Sequence, residues 1–278
     1  GMAAVMTACG TAGQKAATDA GNPFLAEYST PFGVPPFDLI KVEHYKEAFL
    51  KGMEEQKKEI DAIVNQRSVP DFDNTIAAFD QSGELLNKVS TVFSGLNSCN
   101  TNDEMQAFNK EITPLLSAHR DDISLNPVLF ARVKEVYECR EKLGLDKEQN
   151  KLLEETYKKF VRGGANLDSV DQAKLRQLNS EISMLQLTFG QNLLKETNAF
   201  ELVIDKKEDL AGLPESLVAS AAEAAKGAGM EEKWLFTLHN PSVMPSCNMQ
   251  IIASCVRKSL KDTSIAATMA MRPIIMKS

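Results

Sequence analysis

From Val42 to Phe200, hydrophobic residues recur at three- and four-residue steps almost without interruption. No other feature of the chain constrains its fold as tightly. A period near 3.6 gives each helix one apolar stripe, and a stripe of that kind is stable only when buried against another element. Several consecutive stripes of similar length imply an all-α bundle. No exact internal repeat accompanies them, so a solenoid is not indicated.

The stripes can be followed one by one. Val42, Tyr45, Phe49, Met53, Ile60 and Val64 define a first helix, closed by Pro70. Ile76, Phe79, Leu86, Val89, Phe93 and Leu96 continue at helical steps. Asn102 and Asp103 cap a third helix carrying Met105, Phe108, Ile112 and Leu116, which Pro114 should kink or split. Asn126-Pro127 sets a cap before a proline at the first helical position and opens a fourth, with Val133 and Val136. Asp146 and Gln149 resemble a capping box for a fifth, which ends at Gly163-Gly164.

Ser169 with Gln172 opens the longest helix, reaching Phe200 through Leu175, Leu178, Ile182, Leu185 and Phe189. Ahead of the helices, Pro23, Pro31, Pro35 and Pro36 make Asn22 to Pro36 an extended lead-in. Behind them the period changes. Phe200 to Asp205 and Lys233 to Leu238 alternate like short strands and flank a helix beginning at Pro214. A minor two-stranded β element is therefore expected near residues 200–238, antiparallel or otherwise.

Composition excludes several classes. Hydrophobic residues at 43% and charged residues at 25% are globular values. A net charge of −7 argues against nucleic acid as a partner, since phosphate binding needs a basic surface. No apolar run approaches the ~20 residues needed to span a bilayer. The five cysteines, Cys9, Cys99, Cys139, Cys247 and Cys255, form no CxxC pair, which excludes a disulfide scaffold and a ribbon-type zinc site. Cys99 and Cys139 fall on helices and read as buried small hydrophobes.

The first residues have another character. GMAAVMTACGTAGQ reads as the tail of a secretory signal, and Met6-Thr7-Ala8-Cys9 resembles a bacterial lipobox whose cysteine is acylated after cleavage. The Gly/Ala/Thr-rich stretch from Gly10 to Gly21 suits a flexible tether. Residues 1–21 are thus expected to be a partial lipoprotein signal and tether, with Cys9 as lipid anchor. The protein would be exported to the bacterial cell envelope or periplasm and touch membrane only through that anchor. The other reading is a disordered leader with a chance cysteine.

Several segments carry a family resemblance, in order and at matching spacing. They include VEHYKEAFLKGM (Val42 to Met53), FDNTIAAFDQSGELLNKVSTVFSGLNSC (Phe72 to Cys99) and LNPVLFARVKEVY (Leu125 to Tyr137). LLEETYKKFVRGGANL (Leu152 to Leu167), LNSEISMLQLTFGQNLLKETNAF (Leu178 to Phe200) and HNPSVMP (His239 to Pro245) follow. Together they resemble the N-terminal part of the peptidyl-dipeptidases, also called dipeptidyl carboxypeptidases, of the thimet oligopeptidase-like zinc metallopeptidases. The resemblance covers residues 22–245.

It implies one wall of a channel-containing all-α peptidase acting on short peptides and releasing C-terminal dipeptides. Zinc would polarise the scissile carbonyl and activate water, with the glutamate of an HExxH helix as base. HExxH occurs nowhere in the 278 residues. No catalytic or metal-binding residue is therefore carried over, and this chain alone is expected to bind no zinc.

Local candidates do not replace that motif. His44 with Glu47, and His119 with Asp122, have i,i+3 spacing. Each offers two ligands where a catalytic zinc needs three. Both pairs read as surface neighbours, His239 as part of a turn, and Gly163-Gly164 as a helix end.

The chain changes again at Pro245. Residues 1–245 carry 37 acids and 26 bases, while 246–278 carry one acid and five bases. All 18 aromatic residues precede the break. With one T inserted before the Ser246 codon, a synonymous codon choice for the tail reads FLQYADNRELREKIFKGYINRGNNG. That string resembles the continuation of the family, with an ADN cap and an amphipathic helix. A one-base frameshift accounts for it, leaving 246–278 as a non-native tail; the other reading is a divergent or disordered tail. The chain is thus expected to be an inactive N-terminal fragment of a peptidyl-dipeptidase. The alternative, from another functional class, is a short helical lipoprotein that binds peptides or proteins.

Overall fold

α1 (Val42–Asn65) organises the first part of the fold because its apolar stripe serves two cores. Tyr45, Ala48, Phe49 and Gly52 are buried in its N-terminal half, and Ile60 and Ile63 in its C-terminal half. The computed structural model describes residues 21–239 and 241–242. The chain divides into two compact units, 1–173 and 174–278. Cys9, the signal and tether up to residue 20, and the tail 246–278 lie outside the described residues.

On the N-terminal half of α1 pack α3 (Glu84–Cys99) and α4 (Asp103–Ser124). Val89, Val92, Phe93, Met105, Phe108 and Ile112 join Phe24, Tyr45 and Phe49 in one core. On the C-terminal half lie a π-helical turn (Phe72–Ala77), the short α2 (Ala78–Gln81), α5 (Pro127–Cys139) and α6 (Lys147–Arg162). Their core contains Ile60, Ile63, Ile76, Leu129, Val133, Leu153 and Phe160. Full burial of each such side chain contributes ~1.5–3 kcal/mol. These two clusters therefore carry most of the first unit's stabilisation.

Helix ends follow the capping residues closely. The Asn102 side chain accepts from Met105 N–H at 2.9 Å, and Asn126 accepts from Val128 and Leu129. Asp146 and Gln149 form a reciprocal capping box at 2.8 and 3.0 Å. α6 ends in a Schellman motif: Ala165 N–H donates to the Phe160 carbonyl and Gly164 N–H to that of Val161. Gly164 there has φ 93°, a conformation glycine adopts without steric cost.

The structure departs from the sequence reading at several places. The second stripe is broken at Ser82-Gly83, where Gly83 adopts φ 80°. The turn sends Ile76 to one core and Val89 and Phe93 to the other, which a straight helix could not do. Of the two outcomes expected at Pro114, a kink or a split, the split does not occur. The proline removes one backbone donor, but Met105, Phe108 and Ile112 before it and Ser117 and Asp121 after it are all buried and hold the helix in place.

Cys99 and Cys139 are exposed. Each is the last residue of its helix, beyond the buried stripe. The cap of the longest helix, α7 (Ser169–Ala199), is Asp168, whose carboxylate accepts from Val170 and Asp171. Ser169 is the first helical residue instead. The proline-rich lead-in is not wholly extended. Pro23 and Pro31 each start a short 3-10 turn, where a missing N–H costs nothing.

The second unit holds the β element. β1 (Leu202–Ile204) pairs antiparallel with β2 (Trp234–Phe236), with Leu202 opposite Phe236 and Ile204 opposite Trp234. α8 (Glu215–Gly227) lies against β2 and contributes Leu217 and Ala221 to a small core with Ile204, Leu210 and Phe236. α7 contains no buried residue, although its spacing reads as a core-facing stripe. Leu178, Ile182, Leu185 and Leu193 are exposed along it. Among the described residues no helix is long and apolar enough to cross a membrane.

Candidate functional site

Each histidine singled out by spacing makes a contact with its own surroundings. His44 Nδ1 accepts from Lys41 N–H at 3.1 Å, so its ring caps the start of α1. Asn22 donates from one amide to the His44 carbonyl at 2.8 Å and to Glu47 Oε2 at 3.1 Å. The His44–Glu47 pair thus ties the lead-in to α1. His239 contacts Thr237 Oγ1 at 3.1 Å and Asn198 Oδ1 at 3.2 Å, as a turn residue would. Among the described residues no group of three His, Cys, Asp or Glu side chains is placed to hold a metal ion.

His119 reaches further. Its Nε2 lies 2.8 Å from Gln56 Oε1, a residue twelve positions beyond His44 on α1. At 1.5 Å per residue, Gln56 stands ~18 Å along the helix from His44. His44 and His119 therefore serve separate places. The Gln56 amide donates over 3.5 Å to the Ser82 carbonyl, which turns its oxygen toward His119. His119 then carries its proton on Nε2 and leaves Nδ1 as an acceptor.

Gly83 completes the arrangement. Its N–H donates to Glu59 Oε2 at 2.7 Å, and a Cβ there would overlap the Gln56 side-chain amide. The α2–α3 break, read from sequence as continuous helix, is the joint that positions Gln56.

These side chains border a cavity of about 390 Å³ at the seam between the two cores. Leu86 and Leu116 face it from the first core, and Phe79, Ile123 and Phe160 from the second. Ser90, Arg120, Ser124 and Lys159 supply the remaining polar lining. Sequence reasoning missed Gln56, Arg120 and Lys159 because each sits among charged residues that read as solvent-facing helix surface.

Burial holds the His119 imidazole below its ordinary value of 6.5, with Lys57 adding to the effect and Asp122 opposing it. A depressed folded-state pKa means that the unfolded chain takes up the proton first. The contribution is complete above the unfolded value of 6.5 and is lost as pH falls toward the lower folded value. The urea midpoint should therefore drop as pH is lowered through this window, by less in His119→Gln. Equal slopes in the two proteins would show that His119 is not the group responsible.

No protein-family model matches the chain. Individual proteins do. Over 225 residues it is 43% identical to the dipeptidyl carboxypeptidase of Escherichia coli (strain K12), covering 81% of this chain and 33% of that protein. The dipeptidyl carboxypeptidase of Salmonella typhimurium is 41% identical over the same length. Oligopeptidase A of Haemophilus influenzae is 27% identical over 232 residues. The chain spans about a third of the length of these curated relatives. Over most of its length, the chain is therefore similar to one part of the dipeptidyl carboxypeptidases.

Proposed function

We propose that this chain is part of a zinc peptidyl-dipeptidase that removes C-terminal dipeptides from short peptides, and that alone it does not cleave. The observation that carries this reading is the 43% identity over 81% of the chain to a dipeptidyl carboxypeptidase. Zinc chemistry of this kind needs HExxH, which the 278 residues lack. The exposed stripe Leu178, Ile182, Leu185 and Leu193 on α7 agrees with a channel wall whose facing part is not in this chain.

Purified protein should contain no stoichiometric zinc and should release no dipeptides from short peptides. Metal analysis and a chelator-controlled peptide assay check both. Zinc at one per chain together with chelator-sensitive cleavage would overturn the proposal. Reading the DNA beyond the Ser278 codon in the restored frame gives an independent test, because an HExxH codon string should appear there. Stops in every frame would favour a helical binding lipoprotein instead.

Export and anchoring at Cys9 are part of the same proposal and rest on the lipobox-like Met6-Thr7-Ala8-Cys9. Expressed behind a complete signal peptide in a Gram-negative host, the protein should partition into detergent and incorporate labelled palmitate. Cys9→Ala should lose both properties. Palmitate incorporation that survives the substitution would place the anchor elsewhere.

A further inference from the structure

The seam cavity lies within the first unit and has no part in the peptidase reading. Its floor is apolar, made by Phe79, Leu116 and Phe160 among others. Its polar lining carries Arg120, Lys159 and neutral-leaning His119, and no carboxylate. That charge pattern runs against the chain, which has 38 acids to 31 bases. The volume of about 390 Å³ falls within the usual range for small-molecule pockets, ~300–1,000 Å³.

An apolar floor with a cationic mouth is complementary to one kind of molecule. The guanidinium of Arg120 offers paired donors that match a carboxylate, and the Lys159 ammonium adds a second positive charge. The floor offers area for an aliphatic or aromatic body. A cation meets repulsion at the mouth, and a small polar anion leaves the floor uncovered. We propose that this cavity binds a compact carboxylate with an apolar body, the carboxylate at Arg120 and Lys159 and the body against Phe79, Leu116 and Phe160.

Such a carboxylate has two ordinary sources, an aliphatic acid and the C-terminus of an apolar peptide. Calorimetric titration of the full chain separates them. Decanoate, below its aggregation threshold, is one probe, with decanol as its uncharged counterpart. Acetyl-Leu-Phe is the other, with its C-terminal amide as control. Saturable binding at one site per chain is expected for at least one acid, at least tenfold tighter than for its uncharged counterpart.

The double variant Arg120→Glu/Lys159→Glu should weaken that binding at least tenfold. Both residues are exposed, so the fold is not at stake and the far-ultraviolet dichroism should be unchanged. Leu116→Trp, which fills the floor, should abolish binding. Tighter decanoate assigns the site to an aliphatic acid, and tighter acetyl-Leu-Phe to a peptide terminus. Absence of saturable binding by either acid, or affinity unmoved by the charge-reversing pair, would overturn the proposal.

Discussion

Truncation of Phe93 to alanine is expected to cost the first unit ~3–5 kcal/mol, the range for removing a large aromatic side chain from a core. Phe93 is 5% exposed on α3 and meets three other rings. Its centroid lies 5.0 Å from Tyr45, 5.8 Å from Phe49 and 5.3 Å from Phe108, each nearly edge-on. Edge-to-face pairs contribute ~0.5–1.5 kcal/mol beyond area burial. Collapse cannot recover much of the loss, because Tyr45 and Phe49 on α1 are also held by contacts to Phe108 on α4. Urea unfolding followed by far-ultraviolet dichroism gives the value. A loss below ~1 kcal/mol would mean that the ring cluster is not the centre of this core.

The second large effect depends on two glycines of opposite sign. A Cβ at Gly52 would stand 2.9 Å from both Cα and N of Leu86. These are backbone atoms, so no rotamer change relieves the contact and α1 must move away from α3. Alanine in a helix interior gains up to ~1 kcal/mol over glycine. Overpacking a close helix crossing costs ~1–3 kcal/mol and here has two cores to disturb. Gly52→Ala should therefore be a net loss. Gly95 lies on α3 with nothing within 4 Å of its added Cβ, so Gly95→Ala should keep the full propensity gain. Unfolding midpoints that move in opposite directions are the expected result. If Gly52→Ala stabilises like Gly95→Ala, the α1–α3 approach is looser than the structure describes.

His119 shows how far a site can be read from spacing. Its partner by sequence is Asp122, three residues on, yet its hydrogen bond goes to Gln56 on another helix. Nothing in the local pattern around Gln56 marks it, because a glutamine among lysines and glutamates is what a solvated helix face contains. The capping residues Asn102, Asn126 and Asp146 were legible for the opposite reason. A cap satisfies donors two or three residues away, so all the partners lie in one short string.

Sequence alone determined the helical class, the position of most helix ends, the two candidate strands and the resemblance to the dipeptidyl carboxypeptidases. These depend on periodicity, on local hydrogen bonds and on the order of motifs, which are properties of neighbouring residues. Only the tertiary structure decided which core each stripe enters. The left-handed turn at Gly83 divides Ile76 from Val89 and Phe93, and α1 serves both clusters. It also decided that the strands pair antiparallel, that the α7 stripe is exposed, and that Cys99 and Cys139 are not core residues. The convergence of Gln56, His119, Arg120 and Lys159 on one cavity belongs to the same level. Burial and convergence are set by what packs opposite a face, and a helical period states only that a face exists.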